Sequence, residues 1–309
     1  MNGKELIMKR FNVRKSIVEH PDFVTALKSI EEIHQWLRES GEAGCLATIG
    51  ASGAGKSTVL ECYRAQFPVR EEVLRRHVPV LYVIVPAVPT VRSLAEAMLI
   101  ALGEIAQAGQ SSARLTEQIV KLVHGCGVEI IMLDEFQHFV EGDRRSLRQV
   151  ANWLKVLLDR LPAAVVLAGL PSLLGVLRVN GQLRRRFSRV TEMRPFNVNT
   201  NEGAQTFIGV MQALAKDMPL PMTDIVDKRV VMKLYYATAG LVDYMCKLLN
   251  GAYQVAERRG GRSVTLNDFA AAFRVHIWKD APPSRDPFDS KFNGVPLDQP
   301  GEPFAEDVQ

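Results

Sequence analysis

No apolar run in this sequence approaches the roughly 18–20 residues that span a bilayer, so a membrane protein is not expected. The opening residues Met1-Asn2-Gly3-Lys4-Glu5 carry no apolar segment after their charges, which predicts no signal peptide. Cysteine is sparse: Cys45, Cys62, Cys126 and Cys246 include no Cys-x-x-Cys pair, and each sits among apolar neighbours. Buried free thiols in a reducing compartment fit that pattern, and a zinc site does not. A cytoplasmic protein is therefore expected. Proline (16) and glycine (22) are too few for a low-complexity chain, so most of the 309 residues should fold. No internal repeat is visible.

A strong charge excess is lacking too. The formal net charge of +4 does not by itself indicate nucleic acid. Its placement is uneven, because residues 281–309 hold six acids against two bases, a net of −4, which leaves +8 on the rest. A basic body with an acidic tail hints at an anionic partner, and fits an ordinary soluble surface equally well.

Residues 1–40 read as a helical lead-in, with Ile30, Ile33, Trp36 and Leu37 at helical spacing. Short apolar runs at Cys45–Ile49, Pro79–Val85, Val128–Leu133, Ala164–Ala168 and Val190–Met193 then alternate with helical patterns. The helices are expected from Lys56 to about Gln66, Ser93 to Leu102, 112–124 and 144–161, the last capped by Asp143. This alternation predicts an α/β core over 41–195, a parallel five-stranded sheet sandwiched by helices. After Pro195 the strands stop. Helical patterns over 201–217, 227–238, 241–259 and 267–279, with Asn201 and Asn267 as candidate N-caps, predict a small all-helical domain over 196–280. Residues 281–309, rich in proline and acid, are expected to be disordered until they meet a partner.

The densest chemistry lies in Gly50-Ala51-Ser52-Gly53-Ala54-Gly55-Lys56-Ser57-Thr58. Gly50-x-x-x-x-Gly55-Lys56-Ser57 matches the phosphate-binding loop pattern in full, between a strand and a helix. Glycines let main-chain N–H groups turn inward around a phosphate, and the helix that follows adds its free donors and positive dipole end. Lys56 is expected to reach the outer phosphates of ATP, and Ser57 to give a hydroxyl to Mg²⁺. On the third strand, Ile130-Ile131-Met132-Leu133 runs into Asp134-Glu135. A strand end of an open parallel sheet is where such folds bind ligands. Asp134 is expected to hold Mg²⁺ through water, and Glu135 to polarise the attacking water, which makes the site a hydrolase.

Phosphoryl transfer also needs positive charge in its transition state. Gln182-Leu183-Arg184-Arg185-Arg186-Phe187 offers three arginines that cannot all face one way on a helix. One or two aimed at a neighbouring subunit's nucleotide is one reading, and a solvated or DNA-facing basic run is the other. The fourth strand ends Leu167-Ala168-Gly169-Leu170-Pro171-Ser172, with no Asn or Thr to sense the terminal phosphate; Ser172 is the weak candidate.

These elements in this order resemble the AAA+ ATPases and, more narrowly, the TniB/TnsC family of transposition target-selection regulators. The resemblance covers about residues 14–275 and rests on Glu19-His20-Pro21-Asp22-Phe23, the loop from Gly50 to Thr58, Asp134-Glu135-Phe136-Gln137-His138, Ala168-Gly169-Leu170-Pro171-Ser172 and the arginine run. It implies ATP-dependent assembly into a homo-oligomeric ring or filament on double-stranded DNA without sequence preference. It also implies contacts with a DDE transposase and a target-selection adaptor. By position it makes Arg186 the arginine finger acting in trans with Arg185 second, and makes His20 and Phe23 flank the adenine. Where many AAA+ lids carry Gly-x-x-Arg, this chain has Gly240-Leu241-Val242-Asp243. Slow hydrolysis, or substitution by Lys247, is the expectation there. A ring would line its pore with loops at the sheet edge, which nominates Thr90, Arg92, Arg144, Arg145 and Arg148 for phosphate contacts. The alternatives are another DNA-handling AAA+ enzyme of helicase or clamp-loader type, a nucleotide-regulated signalling switch that needs no DNA, and a small-molecule kinase.

Overall fold

The computed structural model describes residues 12–13, 16–71, 73, 75–140, 144–222, 225 and 227–305. Asp143, the side chains of Arg144 and Arg145, and the first eleven residues of the expected lead-in lie outside the described residues. The chain divides into two compact units, Pro21–Arg194 and Met1–His20 with Pro195–Gln309. Among the described residues no helix is long and apolar enough to cross a membrane.

The first unit opens with α1 (Pro21–Ser40). Proline at a first helical position loses no hydrogen bond, which explains why the helix starts there. Phe23, Ala26, Ile30 and Ile33 form its buried stripe, whereas Trp36, off that stripe by the 3.6-residue period, is exposed. Then follow β1 (Cys45–Gly50), α2 (Lys56–Ala65), a small antiparallel ribbon of β2 (Arg70–Glu71) and β3 (Arg76–His77), β4 (Val80–Ile84), α3 (Val91–Leu102), α4 (Ser112–Gly125) and β5 (Ile130–Asp134). The unit closes with α5 (Arg144–Leu158), β6 (Ala164–Gly169), α6 (Leu174–Val179), α7 (Gly181–Arg186) and β7 (Arg189–Met193).

The five long strands pair in the order β4-β5-β6-β1-β7, all parallel. Every residue of β5 and β6 is buried, which is why those strands read as unbroken apolar runs rather than as alternation. The two faces still divide by parity. Leu46, Ile130, Met132, Val166 and Ala168 pack in one core with Phe23, Ile30, Val59 and Leu60 of α1 and α2. Ile131, Leu133, Val165 and Leu167 pack in the other with Leu94, Met98, Ile119 and Leu154 of α3, α4 and α5. The ribbon of β2 and β3 was not expected, because two residues a strand are too few to show a period.

The second unit holds α8 (Asn201–Ala215), α9 (Lys228–Thr238), α10 (Val242–Arg258) and α11 (Leu266–His276). Two expected caps are displaced. Thr200, not Asn201, caps α8 by accepting from the Gly203 N–H at 3.1 Å, and Thr265, not Asn267, forms a capping box with Asp268. A cap needs extended backbone, which the β-branched threonines adopt here at φ −113° and −109°.

The expectation of a disordered tail is corrected. Residues 281–305 pack on the helices of their own unit: Leu297 and Phe304 are buried, and Phe304 sits edge-on to Tyr244 at 4.8 Å. Phe292 meets Tyr236 at 5.1 Å and Phe288 meets Phe273 at 6.0 Å. The buried Asp286 pairs with Arg274 at 2.7 Å, and the Lys233 Nζ donates to the Pro287 carbonyl at 2.9 Å. Averaged composition hid this, since four large apolar side chains are dispersed among the prolines. Prolines also leave less backbone freedom to lose on ordering.

Phe304→Ala is therefore expected to destabilise the helical unit by about 3 kcal/mol, read as a lower urea midpoint; an unchanged midpoint would return the tail to a solvated state. A second expectation concerns pH. The Arg259 guanidinium, bidentate on the buried Asp268, holds that carboxyl at about 2 against an ordinary 3.8. A depressed carboxylate stabilises the fold above its unfolded value and ceases to as pH falls through the folded one. Arg259 is partly exposed, so Asp268→Asn should cost about 1–2 kcal/mol at pH 7 and almost nothing at pH 2. A pH-independent difference would show that another interaction is responsible.

Candidate active site

β1 ends at Gly50, paired in register with Met193 of the neighbouring β7. A Cβ at Gly50 would run into the Met193 carbonyl oxygen, so only glycine lets the two strand ends lie this close. The loop then turns, with Gly53 and Gly55 at φ 71° and 97°. Gly55 sits at the N-cap of α2 and supplies no side-chain cap, so the first N–H groups of the helix are left to the loop's concave side. Ala54 is buried in the same apolar cluster as Phe23 and Met193, which fixes the loop from beneath. The buried Lys56 Nζ donates to the carbonyls of Gly50 at 2.9 Å and Ala51 at 2.8 Å. Ser57 is half-buried, while Ser52 and Thr58 are exposed.

Asp134 closes β5 and is buried. Its Oδ1 accepts from the Glu135 N–H at 2.9 Å, and its Oδ2 accepts from the Tyr82 hydroxyl at 2.8 Å. Tyr82, on the adjacent β4, also faces the Arg64 guanidinium at 5.1 Å. Burial, and then the Asp134 charge, push its phenol well above the ordinary range, so it remains a donor. Tyr82 escaped the sequence reading because nothing near it in the chain is chemical, and only strand order sets it beside an acid. Glu135 follows in left-handed backbone at φ 58°, a conformation that costs a non-glycine residue about 1 kcal/mol. Beyond it a 3₁₀ turn, Phe136–Phe139, is anchored by two fully buried phenylalanine rings. In that turn the buried Gln137 donates from Nε2 to the Glu135 carboxylate and accepts the Leu170 N–H at 3.1 Å on its Oε1. A Cβ at Gly169 would collide with that Oε1.

Because the strands are parallel, the Lys56 loop and the acid pair stand at one edge of the sheet, with β6 between their strands. The other nominated residues are more dispersed. Arg184, Arg185 and Arg186 fill the last turn of α7 and are exposed, held by the buried Leu183 and Phe187 on either side. Arg186 pairs with Asp159, after α5. Thr90 caps α3 in a capping box with Ser93, and Arg92 pairs with Glu96 at 2.8 Å and donates to the Gln110 carbonyl. Arg148 is exposed on α5. Phe23 lies in the first unit and His20 in the second, where the imidazole packs edge-on to Phe196 at 4.9 Å. Lys247 pairs with Asp243 at 2.6 Å on α10, so the acid that stands in for the lid arginine neutralises the lysine nominated to replace it. Ser172 is exposed in a 3₁₀ turn, Pro171–Leu173.

A family model, the bacterial TniB protein, matches residues 9–195, more than half of the chain. The chain belongs to the TniB family. That family is one of transposition-associated AAA+ ATPases, and solved structures agree on the fold. Cdc6p of Pyrobaculum aerophilum superposes with a TM-score of 0.65 at 13% identity, covering 84% of this TniB-family chain and 69% of its own. The Aeropyrum pernix ORC1 protein, solved in complex with DNA, gives 0.62 at 18% identity over 85% and 67%. The ORC2 protein of the same organism, solved as ADPNP–ADP complexes, gives 0.61 at 15% identity over 84% and 68%. No curated protein sequence matches the chain.

Gly50→Ala tests the loop geometry of this TniB-family fold. The added methyl must displace β7 or tilt the loop, so affinity for ATP analogues should fall at least about tenfold and the melting temperature should drop together with it. Wild-type affinity in that variant would mean that the loop does not depend on the contact with Met193.

Proposed function

We propose that this chain is a cytoplasmic ATP-hydrolysing transposition regulator. It assembles as a ring or filament on duplex DNA when ATP is bound, recruits or activates a DDE transposase, meets a target-selection adaptor, and disassembles after hydrolysis. The observation that carries the reading is the phosphate-binding loop and the acid pair, the buried Asp134 and the half-buried Glu135, at one sheet edge in a chain of the TniB family.

In this reading the amides of Gly53–Ser57 and the Lys56 ammonium bind the triphosphate, Lys56 exchanging its two loop carbonyls for phosphate oxygens. The Ser57 hydroxyl, with the Asp134 carboxylate acting through water, would offer an all-oxygen environment, which suits Mg²⁺. When bound, the ion supplies charge neutralisation on the phosphates. Glu135 accepts a proton from the attacking water. Arg186, released from Asp159, reaches a neighbouring subunit's nucleotide with Arg185 beside it, and there counters the charge that builds on the transferred phosphoryl group. Phe23 flanks the base. Exposed basic groups such as Arg148 take DNA phosphates without reading bases. Similarity to an ORC1 protein solved in complex with DNA supports the DNA-handling part, and the family match favours transposition over a helicase or clamp-loader type of enzyme.

Electron microscopy with a non-hydrolysable ATP analogue should show rings or filaments that form with duplex DNA and are absent for Lys56→Ala. Monomers under every condition would favour a nucleotide switch. Glu135→Gln should keep nucleotide binding, lose at least about 10²-fold in turnover and prolong the assembly. Arg186→Ala should lose turnover only where subunits meet; an equal loss in monomers would place its action within its own subunit.

A further inference from the structure

Gln137 is a buried polar side chain with both ends engaged, in a place where the reaction described so far gives it nothing to do. Its amide orientation follows from its neighbours. The Leu170 N–H can only donate, so it must face the oxygen, and the Glu135 carboxylate can only accept, so it must face the nitrogen. No flipped amide satisfies both. The side chain therefore spans from the carboxylate that polarises water to the main chain just after β6.

Two further features show that the span is built rather than incidental. Gly169 has no room for a Cβ, and the atom in the way is the Gln137 oxygen itself, so the end of β6 is shaped around this amide. Glu135 stands in left-handed backbone, and the turn that follows is nailed down by Phe136 and Phe139, so the carboxylate leaves the strand at an angle its own residue type does not favour. A carboxylate on that backbone without a donor would have several rotamers open to it. One charge-assisted hydrogen bond to a buried amide removes most of that freedom.

Resting on the ATPase reading above, we propose that Gln137 is the positioning residue for Glu135. It fixes the carboxylate towards the attacking water and ties its orientation to the Leu170–Leu173 segment at the end of β6, where no Asn or Thr is present to sense the terminal phosphate. One amide thus joins Asp134-Glu135-Phe136-Gln137 to Gly169-Leu170-Pro171.

The test separates the two halves of the span. Gln137→Glu keeps length and volume and still accepts the Leu170 N–H, but sets an acceptor against Glu135. Turnover on duplex DNA should fall about 10–100-fold, with affinity for a non-hydrolysable ATP analogue within about twofold of wild type. In the Glu135→Gln background the same substitution should change the residual turnover by less than about twofold, because the group it orients is gone. Gln137→Met, which adds no charge, should show the same loss of turnover at unchanged affinity and decides the matter if the glutamate variant does not fold. Wild-type turnover in either folded variant overturns the assignment, as does an equal loss in the Glu135→Gln background or a parallel loss of affinity. Hydrolysis that depends on Glu135 but not on Gln137 sinks this assignment alone; a wild-type chain that neither binds nor hydrolyses ATP sinks the ATPase reading with it.

Discussion

The closeness of β1 to β7 at their carboxyl ends is the constraint on which the site depends. Gly50 lies against the Met193 carbonyl, in a register that allows no side chain. From that contact the loop departs, and Ala54, seated in the cluster that includes Met193 and Phe23, returns it to the same support. The start of α2 is thus held by backbone and packing, with the Lys56 ammonium donating to two main-chain carbonyls of the loop. Such a scaffold suits a group that must meet concentrated negative charge, because main-chain dipoles fixed by packing need little reorganisation when the charge arrives.

The same constraint explains which parts of the protein were legible in its sequence. The phosphate loop and Asp134-Glu135 are local patterns, and their strands are buried on both faces, so each was visible as a short apolar run ending in chemistry. Strand order is not local. Tyr82 reaches Asp134 only because β4 lies beside β5, and Gln137 reaches Leu170 only because β5 lies beside β6. In the sequence Gln137 was one letter of a family motif, with no role deducible from spacing. The caps of α8 and α11 were misplaced by one and two residues because asparagine is a strong cap by type, whereas the backbone at Thr200 and Thr265 decides by geometry. The tail misled for a different reason: composition averages over residues, while folding counts where the apolar side chains land.

Charge placement bears on the basic residues that the resemblance nominated. Arg186 shares Asp159, Arg92 shares Glu96, and Lys247 shares Asp243, so each already has a carboxylate within its own chain. All three pairs are at least partly exposed, and ion pairs of that kind contribute about 1 kcal/mol or less. A phosphate with a whole charge or more displaces such a carboxylate at small cost. Pairing of this sort keeps an arginine extended and pointed without committing it, which suits a residue that acts only when another subunit or a duplex arrives.

Strain and support divide unequally between the two neighbouring carboxyl groups, Asp134 and Glu135. Asp134 ends a regular strand, fully buried, with one donor from main chain and one from Tyr82. Glu135 is placed one residue further on, where the strand has ended and the backbone has turned left-handed, and its orientation is handed to a side chain rather than to the ladder. A carboxylate held by one amide can be released by moving that amide, and the amide's other end is fixed to the segment after β6. The two neighbouring acids are thus supported differently across a single peptide bond, Asp134 by main chain and Tyr82, Glu135 by the Gln137 amide.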